Sequence, residues 1–367
     1  MTTRRQFLAG SAAAGAAVAG FPAIIRSARA AEPVTLITPF GFDSDFIDMM
    51  NGVAGGHFAK RGLDAKLLGA NHVEREELKR TNLEETPAVI ALLGNELDAL
   101  VLVSAPESQI VQMLLQIAPL EVLRVIDYGD ARCLPGMAEV SHAAIRQHVG
   151  DVVTRNIVPM VIGGDHSITW PSATAVAAAH PPGSVGMVHF DAHADTGNNL
   201  WGNLYSHGSP MRRLIESGAI PGRNFVQVGL RGYWPPKDVF DWMRAQGMRW
   251  HLMGELRDRG VAPVIEDAIA EALDGPDHIY LSVDIDVLDP GFAPGTGTPE
   301  PGGMQPVDLF RAIRQIVLRT DVVAVDVVEV SPPYDWAELT SQNAHRCILE
   351  AISALAVKRR DGVSPSN

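Results

Sequence analysis

Three apolar, strand-like runs in this chain end abruptly in motifs crowded with aspartate and histidine. GGDHS at 163–167 follows VPMVI, DAHAD at 191–195 follows VGMVHF, and SVDIDVLDP at 282–290 follows HIYL. Side chains alternate along a strand, so DAHAD sends Asp191, His193 and Asp195 to one face, and Asp284 and Asp286 share a face in the same way. Apolar, β-branched runs bounded by turn residues occur at 157–162, 185–190, 225–228, 279–283 and 322–328. Helical patterns lie between and after them, at 171–179, 210–217, 237–246, 262–273, 306–319 and 341–356. The alternation predicts an α/β chain: a mostly parallel sheet with helices on both faces, in three α/β/α layers. Open sheets of this kind build their sites beyond the carboxyl ends of the strands, where all three motifs fall.

Four aspartates massed in one place repel one another and raise each other's pKa. Two divalent cations would cancel four negative charges. Asp191, Asp195, Asp284 and Asp286, with His166 and His193, therefore read as one dinuclear metal site. No cysteine belongs to the set, which argues against a structural zinc or an iron–sulfur centre. Oxygen and imidazole donors suit manganese, with cobalt, nickel or zinc able to substitute in vitro. Taken singly, each motif reads equally well as punctuation at a strand end; the three in this order favour the metal.

GGDHS, FDAHAD, SVDIDVLDP and GTGTPEPGG at 295–303 resemble, in order and spacing, the signature set of the ureohydrolase family of arginases and agmatinases. DYGD at 127–130, YSHGSPMRR at 205–213 and DVVEVSPPYD at 326–335 resemble its agmatinase branch, and the likeness covers roughly 119–357. The resemblance implies an arginase-like fold and a hydrolase with two Mn²⁺ per chain that splits a guanidinium group to urea and an amine. Agmatine, giving putrescine, is the favoured substrate; guanidinobutyrate and guanidinopropionate are the alternatives. Carried onto this sequence, one ion takes His166, Asp191, Asp195 and Asp284. The other takes Asp191, His193, Asp284 and Asp286, so that Asp191 and Asp284 bridge. His207 matches a mobile proton-shuttling histidine, a task for a group that titrates near neutrality. Glu300 matches the acid that pairs with the substrate's planar fork of donors. Without the resemblance, His207 reads as a loop histidine at a helix start and Glu300 as a solvated loop acid. Asp165 and Ser167 are expected to orient His166, and Asp289 and Pro290 to shape a turn. His189 can share the DAHAD face, but no family motif uses it as a ligand. Glu329 falls at a strand end, where a structural role is at least as fitting as a place near the site.

The amino terminus is a separate matter. Arg4 and Arg5, with Phe7 and Leu8, precede a weakly apolar stretch and the sequence ARA before Ala31. Residues 1–30 resemble a twin-arginine signal peptide, cleaved after Ala30. That implies periplasmic or exported protein, the alternative being an uncut leader on a cytoplasmic enzyme. The stretch is too short and too weakly apolar for a permanent membrane span. Residues 31–118 lack the ureohydrolase opening. The stretches 42–69 and 88–107 instead resemble part of the first lobe of ABC-type solute-binding proteins. VTLITPF suits the ureohydrolase family's first strand, but the Arg-Pro-Gly-containing loop that follows it there is absent. In the solute-binding likeness a helix ends at AKRGLD before a second strand, and a helix and then a strand follow around ALLGNELDA. The chain thus reads as a leader (1–30), a smaller α/β segment (31–118), a catalytic domain (119–357) and a tail (358–367). The fused lobe keeps open a reading of another kind, a solute-binding or scaffold fusion whose enzyme half is silent.

Net charge is −13 over 367 residues, and loss of the leader's four arginines leaves −17. Such acidity argues against nucleic acid and anionic membranes as partners, and suits a small cationic guanidino substrate. Cys133 and Cys347 make neither a disulfide framework nor a metal motif. A homo-oligomer, trimer or hexamer, is implied by the resemblance alone.

Overall fold

The computed structural model describes residues 112–362 apart from 201, and three strands upstream of them: β1 (Glu32–Thr38), β2 (Leu63–Gly69) and β3 (Val89–Gly94). The leader expected at 1–30 and most of 31–118 lie outside the described residues. The chain divides into two compact units, 1–69 and 70–367. In the first unit β1 and β2 pair in parallel, from Glu32 beside Leu63 to Thr38 beside Gly69.

In the second unit β3 is followed by β4 (Arg124–Gly129), α1 (Ala138–Val153), β5 (Val158–Ile162), α2 (Thr169–Ala178) and β6 (Val185–Phe190). Next come α3 (Pro210–Glu216), β7 (Phe225–Leu230), α4 (Lys237–Ala245), β8 (Arg249–Leu252), α5 (Met253–Arg259) and α6 (Val261–Ala272). The chain closes with β9 (His278–Asp284), α7 (Pro306–Arg319), β10 (Asp321–Val328) and α8 (Leu339–Arg360). Eight strands form one sheet in the order β4-β3-β5-β10-β9-β6-β7-β8, every neighbouring pair parallel.

Alternation along the strands sorts the apolar side chains into two cores. Met160 and Ile162, Val188 and Phe190, Val226 and Val228, and Leu281 and Val283 face a core shared with α5, α6, α7 and α8. Val161, Met187, Phe225 and Tyr280 face a second core shared with α1, α2, α3 and α4. This is the three-layer α/β/α arrangement that the sequence predicts. Each fully buried Val, Leu, Ile or Phe contributes roughly 1.5–3 kcal/mol, so the strands that carry the motifs are the best anchored part of the unit. The five strands β5, β10, β9, β6 and β7 are contiguous in the sheet, and their carboxyl ends bring GGDHS, Glu329, Asp284, DAHAD and Arg231 side by side.

Several features depart from the sequence reading, which names no helical pattern for α1 or α5. VIALLG at 89–94 is a strand, whereas the solute-binding likeness puts a helix there; it pairs with both β4 and β5. The large sheet therefore takes one strand from upstream of residue 119. β4 and β8 escape the reading because they are edge strands with exposed positions and weak apolar patterns. Among the described residues no helix is long and apolar enough to cross a membrane, and Cys133 and Cys347 are both free.

Candidate metal centre

The turns after β5, β6 and β9 are built alike. Asp165 Oδ1 accepts the Ser167 N–H at 2.9 Å, Asp191 Oδ1 that of His193 at 2.6 Å, and Asp284 Oδ1 that of Asp286 at 2.8 Å. An aspartate bonded to the backbone two residues on makes a tight local turn. At 191 and 284 this occupies one carboxylate oxygen and leaves Oδ2 for the cleft. Those oxygens meet at one ring nitrogen: His166 Nδ1 lies 2.9 Å from Asp284 Oδ2, 3.2 Å from Asp195 Oδ2 and 3.3 Å from Asp191 Oδ2. His193 Nδ1 lies 2.9 Å from Asp286 Oδ2 and 3.5 Å from Asp191 Oδ1.

All six ligands named from the sequence thus come together, in two groups that share Asp191. One is His166, Asp191, Asp195 and Asp284; the other is Asp191, His193 and Asp286. Asp284, which the resemblance puts in both, stands in the first group only. Asp195 adopts a left-handed backbone (φ 51°), as does Glu329 (φ 66°), a conformation that is strained for a residue with a side chain.

The electrostatics of this pocket are out of balance. Burial and repulsion from Asp286 and Asp191 push the Asp284 carboxyl well above the usual range, and burial with Asp191 raises Asp286. Asp191 goes the other way: burial opposes its charge, but His166, His189 and His193 hold it well below the usual range. His193, which burial would lower, is lifted to about 11 by Asp191 and Asp286. Carboxylates that favour protons beside histidines that retain them mark a site short of positive charge. Asp191 Oδ2 is also fully buried with no partner in hydrogen-bond geometry. Four carboxylates and two imidazoles, with Asp191 common to both groups and its Oδ2 orphaned, fit two divalent cations, of the kind that accept oxygen and nitrogen donors.

The groups that orient this set are only partly those expected. Asp165 caps the turn that carries His166, but Ser167 Oγ pairs with His142 Nε2 at 3.0 Å and not with His166. The partner of His166 Nε2 is Ser282 Oγ, at 3.0 Å, which leaves Nδ1 facing the carboxylates. Glu329 accepts the His166 N–H at 2.7 Å and lies 3.8 Å from His207 Nδ1. Burial pushes its carboxyl up to about 8. Glu329 therefore belongs to the site, joining the His166 turn to His207.

His207 and Glu300 stand at the rim. The His207 side chain is 43% exposed. Its loop is tied to DAHAD by the Gly197 N–H on Gly208 O at 2.9 Å and the Met211 N–H on Asp195 O at 3.2 Å. Glu300 packs on Gly232. A Cβ at that glycine would lie 2.7 Å from Glu300 Cδ, and its φ of +78° also disfavours any side chain. Asp289 Oδ2 accepts the Gly302 and Gly303 N–H groups, which shapes the loop after Glu300. Thr298 Oγ donates to Asp286 Oδ2 at 3.3 Å.

Arg231 was not legible as a site residue. Its guanidinium donates to the carbonyls of Gly229, Asp286, Val287, Leu288 and Glu300, at 2.6–3.3 Å. The main chain thus occupies its fork of donors, so this cation sits beside Glu300 without engaging the carboxylate. It fastens the Glu300 loop to the Asp286 turn. For Ser282 a signal exists: a polar residue in an apolar strand, two positions before a ligand. For Arg231 the only signal is an arginine directly after the β7 run.

The arginase family profile matches residues 98–353 of this chain. Guanidinopropionase of Pseudomonas aeruginosa is 41% identical over 247 residues, covering 66% of this chain and 74% of that protein. The mitochondrial guanidino acid hydrolase of Homo sapiens is 36% identical over 237 residues, covering 65% and 66%. The mitochondrial agmatinase of Gallus gallus is 36% identical over 238 residues, covering 65% and 68%. Among solved structures, proclavaminate amidinohydrolase from Streptomyces clavuligerus is similar with a TM-score of 0.62 at 30% identity, covering 74% of this chain and 92% of that one. Formimidoylglutamase from Bacillus subtilis gives a TM-score of 0.63 at 27% identity, covering 74% and 87%. With the fold, the clustered donors and these likenesses in agreement, the chain belongs to the arginase family.

Proposed function

We propose that this chain is a binuclear manganese amidinohydrolase that splits a linear guanidino compound into urea and an amine. The observation that carries this reading is the convergence of three carboxylate oxygens on His166 Nδ1. Two divalent cations held there would make water a nucleophile near neutral pH. The remaining tasks fall to the chain's own groups. Asp191 and Asp284 keep one oxygen on the backbone, which fixes the direction of the other. Glu300 offers its carboxylate to the guanidinium, since Arg231 engages only its main-chain oxygen. His207 carries a proton to the leaving amine, with Glu329 within reach of its ring.

Agmatine is the first reading of the substrate, supported by the net charge of −13 and by the exposed Asp165 at the end of β5. Guanidinobutyrate or guanidinopropionate is the second. It is supported by a cavity of about 490 Å³ that adjoins the Glu300 loop and is lined by Tyr233, Trp234, Phe240 and Arg257 among others. Arg257, whose guanidinium bonds Gly302 O, could pair with a carboxylate tail. Urea release from a panel of guanidino compounds with Mn²⁺ added tests both readings. A chain that releases no urea from any of them would favour the silent solute-binding fusion instead. The same proposal includes twin-arginine export, supported by Arg4 and Arg5, and a trimer or hexamer. Amino-terminal sequencing of the native protein checks the first, with Ala31 the expected start.

A further inference from the structure

Four buried polar residues run across the sheet in register behind the candidate ligands. Gln227 on β7 is the partner of His189 on β6, His189 of Ser282 on β9, and Ser282 of Asp326 on β10. All four are fully buried. His189 and Ser282 precede Asp191 and Asp284 by two residues, so they point to the same side of the sheet as those carboxylates. The role of Ser282 is plain from its bond to His166. His189 is ambiguous: its Nε2 lies 2.9 Å from Asp191 Oδ2, and its ring could join His166 and Asp191 around an ion.

The other ring nitrogen decides between the two. Gln227 Nε2 lies 2.7 Å from the Ala194 carbonyl oxygen, which can only accept, so the amide nitrogen and not its oxygen must stand there. The same nitrogen lies 3.0 Å from His189 Nδ1. It can only donate, so Nδ1 must accept. In a neutral imidazole that puts the proton on Nε2, the nitrogen facing Asp191. A nitrogen that carries a proton has no lone pair for a cation. Its N–H makes a bent contact with the carboxylate oxygen that lacks any straighter partner.

We infer that His189 is a positioning residue and not a ligand: with its tautomer fixed by Gln227 and Ala194, it turns an N–H toward Asp191 and holds that carboxylate in its orientation. This rests on the two-cation reading above. The DAHAD motif therefore depends on a glutamine from the neighbouring strand, 36 residues further along the chain from Asp191.

The experiment is titration of the metal-stripped full chain with Mn²⁺ alone, for wild type, His189→Phe, His189→Gln and Gln227→Leu, beside thermal unfolding of each metal-free protein. His189→Phe is expected to keep two sites and to weaken Mn²⁺ binding about 10–100-fold, the usual effect of losing a group that orients a ligand. His189→Gln, whose amide can still donate, should recover most of that loss. Gln227→Leu leaves the ring in place but frees its tautomer, and should weaken binding by about tenfold. A merely structural role would lower all the metal-free unfolding temperatures and leave affinity unchanged in the variants that fold, which would overturn the inference. So would His189→Phe and His189→Gln each binding one ion instead of two, the mark of a lost ligand. A wild-type chain that binds no Mn²⁺ would overturn the two-cation reading itself.

Discussion

The floor and the rim of this cleft are built on opposite plans. His166, Asp191, Asp284 and Asp286 are buried and lie at or just beyond the carboxyl ends of central strands. Polar partners one step back along those strands support two of them. The rim is made of loops: His207 is 43% exposed at its side chain, and Tyr233 and Trp234 beside the Glu300 loop are 101% and 47% exposed. Packing of the sheet fixes the floor, while loops tolerate change. On the reading proposed above, the metal chemistry belongs to the floor, and the proton step of His207 and the choice of substrate belong to the rim.

The largest effect should come from the floor. Asp191→Asn or Asp284→Asn removes a charged oxygen from the group around His166. Each should lose metal and slow urea release by at least about 10⁴-fold, a modest part of what enzymes supply. Metal analysis and rate measured on the same samples check this, and a variant that keeps both ions and its rate would break the division between floor and rim. Next, His207→Asn should lower kcat by about 10²–10⁴-fold, the range for losing a general acid or base, with metal content unchanged. Wild-type turnover would remove His207 from the mechanism.

Arg231→Lys tests the tie between the two regions. Lysine keeps the charge but cannot reach carbonyls from several segments at once. Loss of one charged hydrogen bond, about 1.5–3 kcal/mol, should raise KM by roughly tenfold or more, because the Glu300 loop is no longer fastened. An unchanged KM would show that the two regions hold their geometry independently. The smallest effect is expected from Arg257→Ala. An exposed pairing with a carboxylate tail is worth about 0.2–1 kcal/mol, so the ratio of guanidino-acid to agmatine turnover should fall by no more than about fivefold. Competition assays read that ratio directly.

What could be read from the sequence follows the same division. The floor was legible because two constraints coincide at each motif: alternation by two, and an aspartate that closes a turn two residues on. The partners behind it obey the same alternation, yet a lone His189 or Ser282 in an apolar strand carries no ligand signature. Their use depends on which strands are neighbours, and β6 lies between β7 and β9 only in the folded sheet. Arg231 was invisible for a different reason. Its partners are main-chain carbonyls up to 69 residues away, and a carbonyl leaves no trace in residue identity. The fold was legible in its central strands and lost at its edges, where β4 has no buried position and β8 only one. β3 was misread because VIALLG, which suits a buried parallel strand, sits where the solute-binding likeness sets a helix.

The most direct test of the central claim counts ions and turnover together. The full chain is stripped with a chelator, Mn²⁺ is added back stepwise, and bound metal and urea release are measured on each sample with agmatine, guanidinobutyrate and guanidinopropionate. The account predicts two ions per chain, no urea from the stripped protein, and a rate that reaches its maximum only as the second ion binds. Full activity with one ion bound, or with none, would contradict it.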